Sequence, residues 1–130
     1  MRKIEKEMNK AIRNRENFNL SNTEVVYNIN ADCCHVYLHN NHIANVWFEE
    51  EVPCYLYLTD ALWQTCTTKS RLNAILSEFA PGYSIYQRRF SWRVACPEER
   101  KESFDLIDPT YWKGFLNIRL NLECKEVVNG

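Results

Sequence analysis

The residues best suited to chemistry lie in one run, Trp63-Gln64-Thr65-Cys66-Thr67-Thr68-Lys69-Ser70-Arg71-Leu72-Asn73. Lys69, Ser70 and Asn73 fall together on the first turns of an expected helix, with Arg71 beside them. A helix N-terminus carries partial positive charge and unpaired N–H groups, and acidic residues usually decorate it. Lys and Arg at that place call for an anion, and a phosphate at the helix start would supply one. Trp63 offers a ring on which a base can stack. Thr65, Thr67, Thr68 and Ser70 offer hydroxyls to phosphate oxygens. The alternative is an ordinary capped amphipathic helix whose basic turn is solvated, and the run is compatible with both.

The helix itself is legible. Leu72, Ile75, Leu76 and Phe79 recur at i, i+3, i+4 and i+7, the spacing of one helical face. Thr67 or Thr68 is the expected N-cap, and Ala80-Pro81-Gly82 the expected stop. Residues Tyr83 to Ala95 follow as strand. Tyr86, Phe90, Trp92 and Val94, with Arg88 among them, oppose Gln87, Arg89, Ser91 and Arg93; a hairpin turn at Arg88-Arg89 is the other possibility. Either way Gln87, Arg89 and Arg93 could fold back to the helix start, and guanidiniums suit bidentate phosphate contacts.

Upstream, residues 1 to 18 read as a helix with a thin apolar stripe of Ile4, Met8, Ile12 and Phe18. Asn19 to Asn22 reads as a turn and Thr23 to Tyr27 as a strand. His35 to Glu49 reads as a hairpin turning at Asn40-Asn41, with His39 opposite His42 and Leu38 opposite Ile43. That register places Val36, Leu38, Ile43, Asn45 and Trp47 on one face. Tyr37, His39, His42, Ala44, Val46 and Phe48 fall on the other. Glu49-Glu50-Glu51 reads as a solvated loop, and Pro53 to Thr59 as a further strand. A charged break spans Pro97 to Lys101, Ser103 to Asp108 is ambiguous, and Asp108-Pro109 marks a turn. Phe115 to Cys124 alternates apolar and polar residues as a half-buried strand does. The expected fold is α+β: an N-terminal helix, an antiparallel sheet with one central amphipathic helix packed on it, and a C-terminal strand. One domain over 1–130 is expected, with 97–130 as a possible C-terminal extension.

A net charge of −1 provides no basic field for generic polyanion binding, which makes nucleic acid an unlikely partner. The charged start and the lack of long apolar runs argue against a signal peptide and a membrane span, so the expected location is a cytoplasm. There the six cysteines are expected to be reduced thiols. Cys33-Cys34-His35, with His39 and His42, forms no CxxC pair, and no metal is expected. Phosphate-loop, dinucleotide, zincin and serine-hydrolase motifs are absent from the sequence. No nucleophile–base pair is in view, so the chain reads as no enzyme, with no catalytic residues and no cofactor.

The same central run, followed by Ile85-Tyr86-Gln87 and Trp92, resembles small phage proteins of the Thoeris anti-defence sponge family. Arg2-Lys3-Ile4-Glu5 and Val36-Tyr37-Leu38-His39-Asn40 are of the same style. The resemblance covers residues 1 to 95. It implies a protein that sequesters cyclic ADP-ribose isomers made by TIR-domain enzymes, and in some members cyclic oligonucleotides of CBASS defence, without degrading them. It implies a homo-oligomer, either a dimer or a hexamer of dimers, with sites shared between subunits. By the same resemblance Trp63, Asn73 and Arg89 or Arg93 contact the nucleotide. Two other readings stand beside it: a nucleic-acid-binding module of α-β-β-β-α order, and a protein inhibitor of a host factor using Tyr55, Tyr57, Tyr111 and Trp112.

Overall fold

The computed structural model describes residues 1–97 and 111–121. Ten elements follow in order: α1 (Lys3–Asn14), β1 (Phe18–Leu20), β2 (Thr23–Asn28), β3 (Cys33–Leu38), β4 (Asn41–Glu49), β5 (Val52–Thr59), α2 (Cys66–Phe79), β6 (Ser84–Arg88), β7 (Ser91–Ala95) and β8 (Phe115–Arg119). The α+β expectation holds. Six strands form an antiparallel sheet in the order β1-β2-β3-β4-β5-β8, and β6 and β7 form a separate two-stranded ribbon. The charged break beyond Pro97, the 103–108 segment, the Asp108-Pro109 turn and residues 122–124 of the last expected strand lie outside the described residues.

The first helix ends earlier than its apolar stripe suggests. Arg15, at φ 54°, turns the chain, and Phe18 starts a short edge strand. Met8 and Ile12 are buried in the core, and Ser21-Asn22 forms the turn between β1 and β2.

The β3–β4 hairpin departs from the expected register. The positive-φ pair is His39-Asn40, at φ 50° and 65°, not Asn40-Asn41. Tyr37 therefore faces His42, and Leu38 faces Asn41. Asn and His tolerate the left-handed region better than most residues, so both steps of the turn are accessible. The register then shifts after Val36, which pairs with Ala44, so that Ile43 is an extra residue. That bulge sends both Ile43 and Ala44 inward. The inner face becomes Cys34, Val36, Leu38, Ile43, Ala44, Val46 and Phe48. His35, Tyr37, His42, Asn45 and Trp47 take the other face and are half-buried.

One continuous core joins that inner face to Leu56 and Leu58 of β5, Leu116 and Ile118 of β8, and the apolar sides of both helices. Polar bridges set the angle between the helices. Asn9 Nδ2 donates to the Ala74 carbonyl (3.0 Å), and Arg13 reaches the Glu78 carboxylate (2.6 Å). On the outer face Asn45 Oδ1 lies 2.6 Å from His35 Nδ1 and 2.6 Å from His42 Nε2. His42 stacks on Tyr57, which stacks in turn on Phe115.

The cysteines differ from one another. Cys33, Cys34 and Cys66 are thiols, as expected, but Cys54 is disulfide-bonded, so the reading of six reduced thiols does not hold. No helix among the described residues is long and apolar enough to cross a membrane.

Candidate functional site

Helix α2 begins two or three residues earlier than the sequence suggests. Thr65, not Thr67 or Thr68, is the N-cap: its Oγ1 accepts from the Thr68 N–H (3.0 Å) and sits 2.9 Å from Thr68 Oγ1. The reason lies upstream. Ala61 and Leu62 both adopt positive φ (54° and 63°) and reverse the chain directly after β5. The buried Asp60 carboxylate holds that reversal. Its Oδ1 accepts from the Leu62 N–H (2.8 Å). Its Oδ2 accepts from Gln64 Nε2 (2.9 Å) and from the Trp112 indole N–H (2.8 Å). Three donors on one buried carboxylate offset its desolvation and pin the path of residues 60–64.

The reversal leaves Leu62 97% and Trp63 61% exposed. Trp63 stands at one side of a cavity of about 520 Å³. The cavity is lined by Leu38, His39, Asn41 and Ile43 from the β3–β4 hairpin, by Asp60 and Ala61, and by Thr65, Thr67 and Thr68 at the start of α2. This volume is in the range of small-molecule sites. The first turn of α2 contains no acidic residue. The backbone N–H groups of Cys66 and Thr67 have no acceptor among the described residues. A smaller polar hollow lined by Asn22, Thr23 and Asn40, among others, shares His39 with the cavity.

The sequence-derived candidates therefore divide. Trp63, Thr65, Thr67 and Thr68 meet at the cavity. Ser70 and Arg71 turn to α1 instead. Ser70 Oγ donates to Glu5 Oε2, and Arg71 is buried with Nη1 2.8 Å from the same oxygen. Arg71 Nε also donates to Thr23 Oγ1 (3.0 Å), and Nη2 to Asn22 Oδ1 (3.2 Å). The anion that answers Arg71 is thus Glu5. Asn73 turns to the ribbon, where its Nδ2 donates to the Ile85 carbonyl (2.8 Å) and its Oδ1 accepts from the Ile85 N–H (2.7 Å). The side-chain amide behaves there as one more rung of a ladder. Lys69 is half-buried and lies outside the cavity lining. Gln87, Arg89 and Arg93 lie on the β6–β7 ribbon, also outside it. Asp60, His39 and Asn41 line the cavity but carry no sequence motif. Only the position of Asp60, between a strand end and a capped helix, hints at its role.

The described residues contain no group of three or more metal-ligating side chains. The Asp60 carboxylate, with three donors already on it, is a scaffold for the loop. What the geometry defines is an α+β protein with a hydroxyl-lined cavity at a helix start, walled by a tryptophan. Residues 1–115 match the Kyanoviridae Gp96 protein family, and the chain belongs to that family of phage proteins. No curated protein and no solved structure matches it.

Proposed function

We propose that this phage protein is a binder, not an enzyme, and that it holds a small nucleotide-like anion in the cavity at the start of α2. The observation that carries the reading is the placement of Trp63. Its large ring is mostly exposed, and it stands beside hydroxyls and unpaired N–H groups at a helix start free of acids. A base stacked on the indole would place its phosphate within reach of the Cys66 and Thr67 N–H groups and the Thr67 hydroxyl. His39 also lines the cavity.

The specific form of the proposal follows the resemblance. The ligand is a cyclic nucleotide immune signal, a cyclic ADP-ribose isomer or a cyclic oligonucleotide, sequestered in the host cytoplasm as an anti-defence measure. A homo-oligomer, dimer or hexamer of dimers, belongs to the same proposal. The duplex-RNA alternative is less well supported, because Arg71, one of the two cations at the helix start, is buried against Glu5.

Isothermal titration with cyclic ADP-ribose isomers and cyclic dinucleotides tests the reading. Binding is expected, with the ligand recovered unaltered on denaturation. Trp63→Ala should abolish it while changing stability by less than about 0.5 kcal/mol, the usual range for an exposed site. No heat with any of these nucleotides overturns the proposal.

A further inference from the structure

The β6–β7 ribbon stands apart from the main sheet and carries a second cationic surface that the cavity does not use. Its register sets the faces. Ile85, Trp92 and Val94 are buried and anchor one side. Tyr86 pairs with Arg93, and Arg88 with Ser91, which puts these four on the other side. Arg93 is bridged in turn to Tyr111, its guanidinium 4.1 Å above the Tyr111 ring and Nη2 3.2 Å from the phenol oxygen. The turn is Arg89-Phe90, with φ of 50° and 66°. Arg88 and Arg89 are exposed and make no ion pair among the described residues. Phe90 is 95% exposed, Tyr86 38% and Tyr111 45%.

Arg88 and Tyr86 on the outer face and Arg89 and Phe90 at the tip are thus exposed together, and no described carboxylate pairs with Arg88 or Arg89. Exposed phenyl and phenol rings beside guanidiniums serve bases and phosphates at once. We infer that the outer face and tip of the β6–β7 hairpin bind single-stranded nucleic acid, bases stacking on Tyr86 and Phe90 and phosphates meeting Arg88 and Arg89. A whole-chain charge of −1 conceals this patch, because charge balance is a global sum and the strip is local. A short strip of this kind predicts modest, salt-sensitive affinity with little sequence preference. The inference is independent of the cavity and of its proposed ligand.

Fluorescence anisotropy tests it with the full chain and a fluorescein-labelled oligothymidylate about 20 nucleotides long, at about 50 and 250 mM salt. The parallel probes are the same oligonucleotide as duplex and vesicles containing phosphatidylglycerol. Binding to the single strand should weaken steeply with salt. Arg88→Ala with Arg89→Ala should lower affinity about tenfold and flatten the log–log salt slope by about 1.4, two phosphate contacts' worth for a single strand. Phe90→Ala should lower affinity about fivefold and leave the slope unchanged, since stacking releases no counterions. Trp63→Ala, in the cavity, should bind the oligonucleotide as the parent does. The inference is overturned by no single-strand binding, by hairpin variants that bind like the parent, by equal or tighter duplex binding, or by binding to the anionic vesicles alone. Circular dichroism of each folded variant keeps a loss of affinity from being read through unfolding.

Discussion

Arg71 Nη1 lies 2.8 Å from Glu5 Oε2, with side chains 4% and 3% exposed, and this ion pair ties the second turn of α2 to the first turn of α1. Ser70 donates to the same oxygen, and the Arg2 N–H donates to Oε1 (3.1 Å). Glu5 is therefore the counter-anion that the cationic start of α2 lacks in its own sequence. Arg71→Ala leaves a buried carboxylate without its cation and should cost about 3–5 kcal/mol. The measurement is the urea midpoint. The pH dependence has a definite sign. Burial alone would raise the Glu5 carboxyl, but the Ser70 hydroxyl, the Arg2 N–H and the Arg71 guanidinium outweigh it and hold the group below its ordinary value of 4.5. A carboxyl depressed in the folded state contributes stability above its unfolded value, and that contribution is lost as pH falls through the folded value. Thermal melts across pH 4.5 and below should show this loss, and Glu5→Gln should flatten it.

Asn73 reads as a ligand contact in the sequence but as a strut in the structure. Asn73→Ala removes two hydrogen bonds to Ile85 and leaves a backbone N–H and carbonyl to find water. A cost of about 2 kcal/mol is expected. Hydrogen exchange should localise the loosening to residues 84–95. Ligand titration at the cavity should change little, which separates this residue from Trp63.

The Asp60 carboxylate accepts from three donors. Asp60→Asn keeps the shape but replaces one acceptor oxygen by an NH2 group, which must then face Leu62 N–H, Gln64 or the Trp112 indole. A loss of about 2–3 kcal/mol is expected for a donor left buried without an acceptor. Tryptophan fluorescence during denaturant unfolding reports it directly, because Trp112 is one of the partners.

The free thiols should separate cleanly in chemistry. Burial pushes both Cys33 and Cys34 up to about 12, with Cys33 raised further by its neighbour and Cys34 by Asp32. Cys66 is exposed at the start of α2. Iodoacetamide followed by mass spectrometry should modify Cys66 in the native protein, where its sulfur is exposed. Cys33 and Cys34 should label only after denaturation. Native labelling of the vicinal pair would contradict their placement.

These residues also show how far the sequence could be read. Local periodicity placed α2, β2 and β5 and the alternation of Leu116 and Ile118, because each of those elements buries a repeating face. The β3–β4 register went astray by one residue at the turn. His39 and Asn40 compete with Asn40 and Asn41 on nearly equal local terms, and the Ile43 bulge that settles the inner face is a tertiary matter. At the site, Trp63 and the threonines were legible because strand end and helix cap are neighbours in sequence. Arg71 and Asn73 were not, since a polar side chain on a helix looks alike whether a ligand or a distant segment satisfies it. Their partners, Glu5 and Ile85, are separated from them by 66 and 12 positions.

The bond pattern around Asn45 has one further outcome. A carboxamide oxygen only accepts, so the two imidazoles that converge on it must each present a hydrogen there, at His35 Nδ1 and at His42 Nε2. That choice fixes the tautomers. Nitrogen-15 shifts should find His35 as the Nδ1–H form and His42 as the Nε2–H form, two rings in opposite tautomeric states.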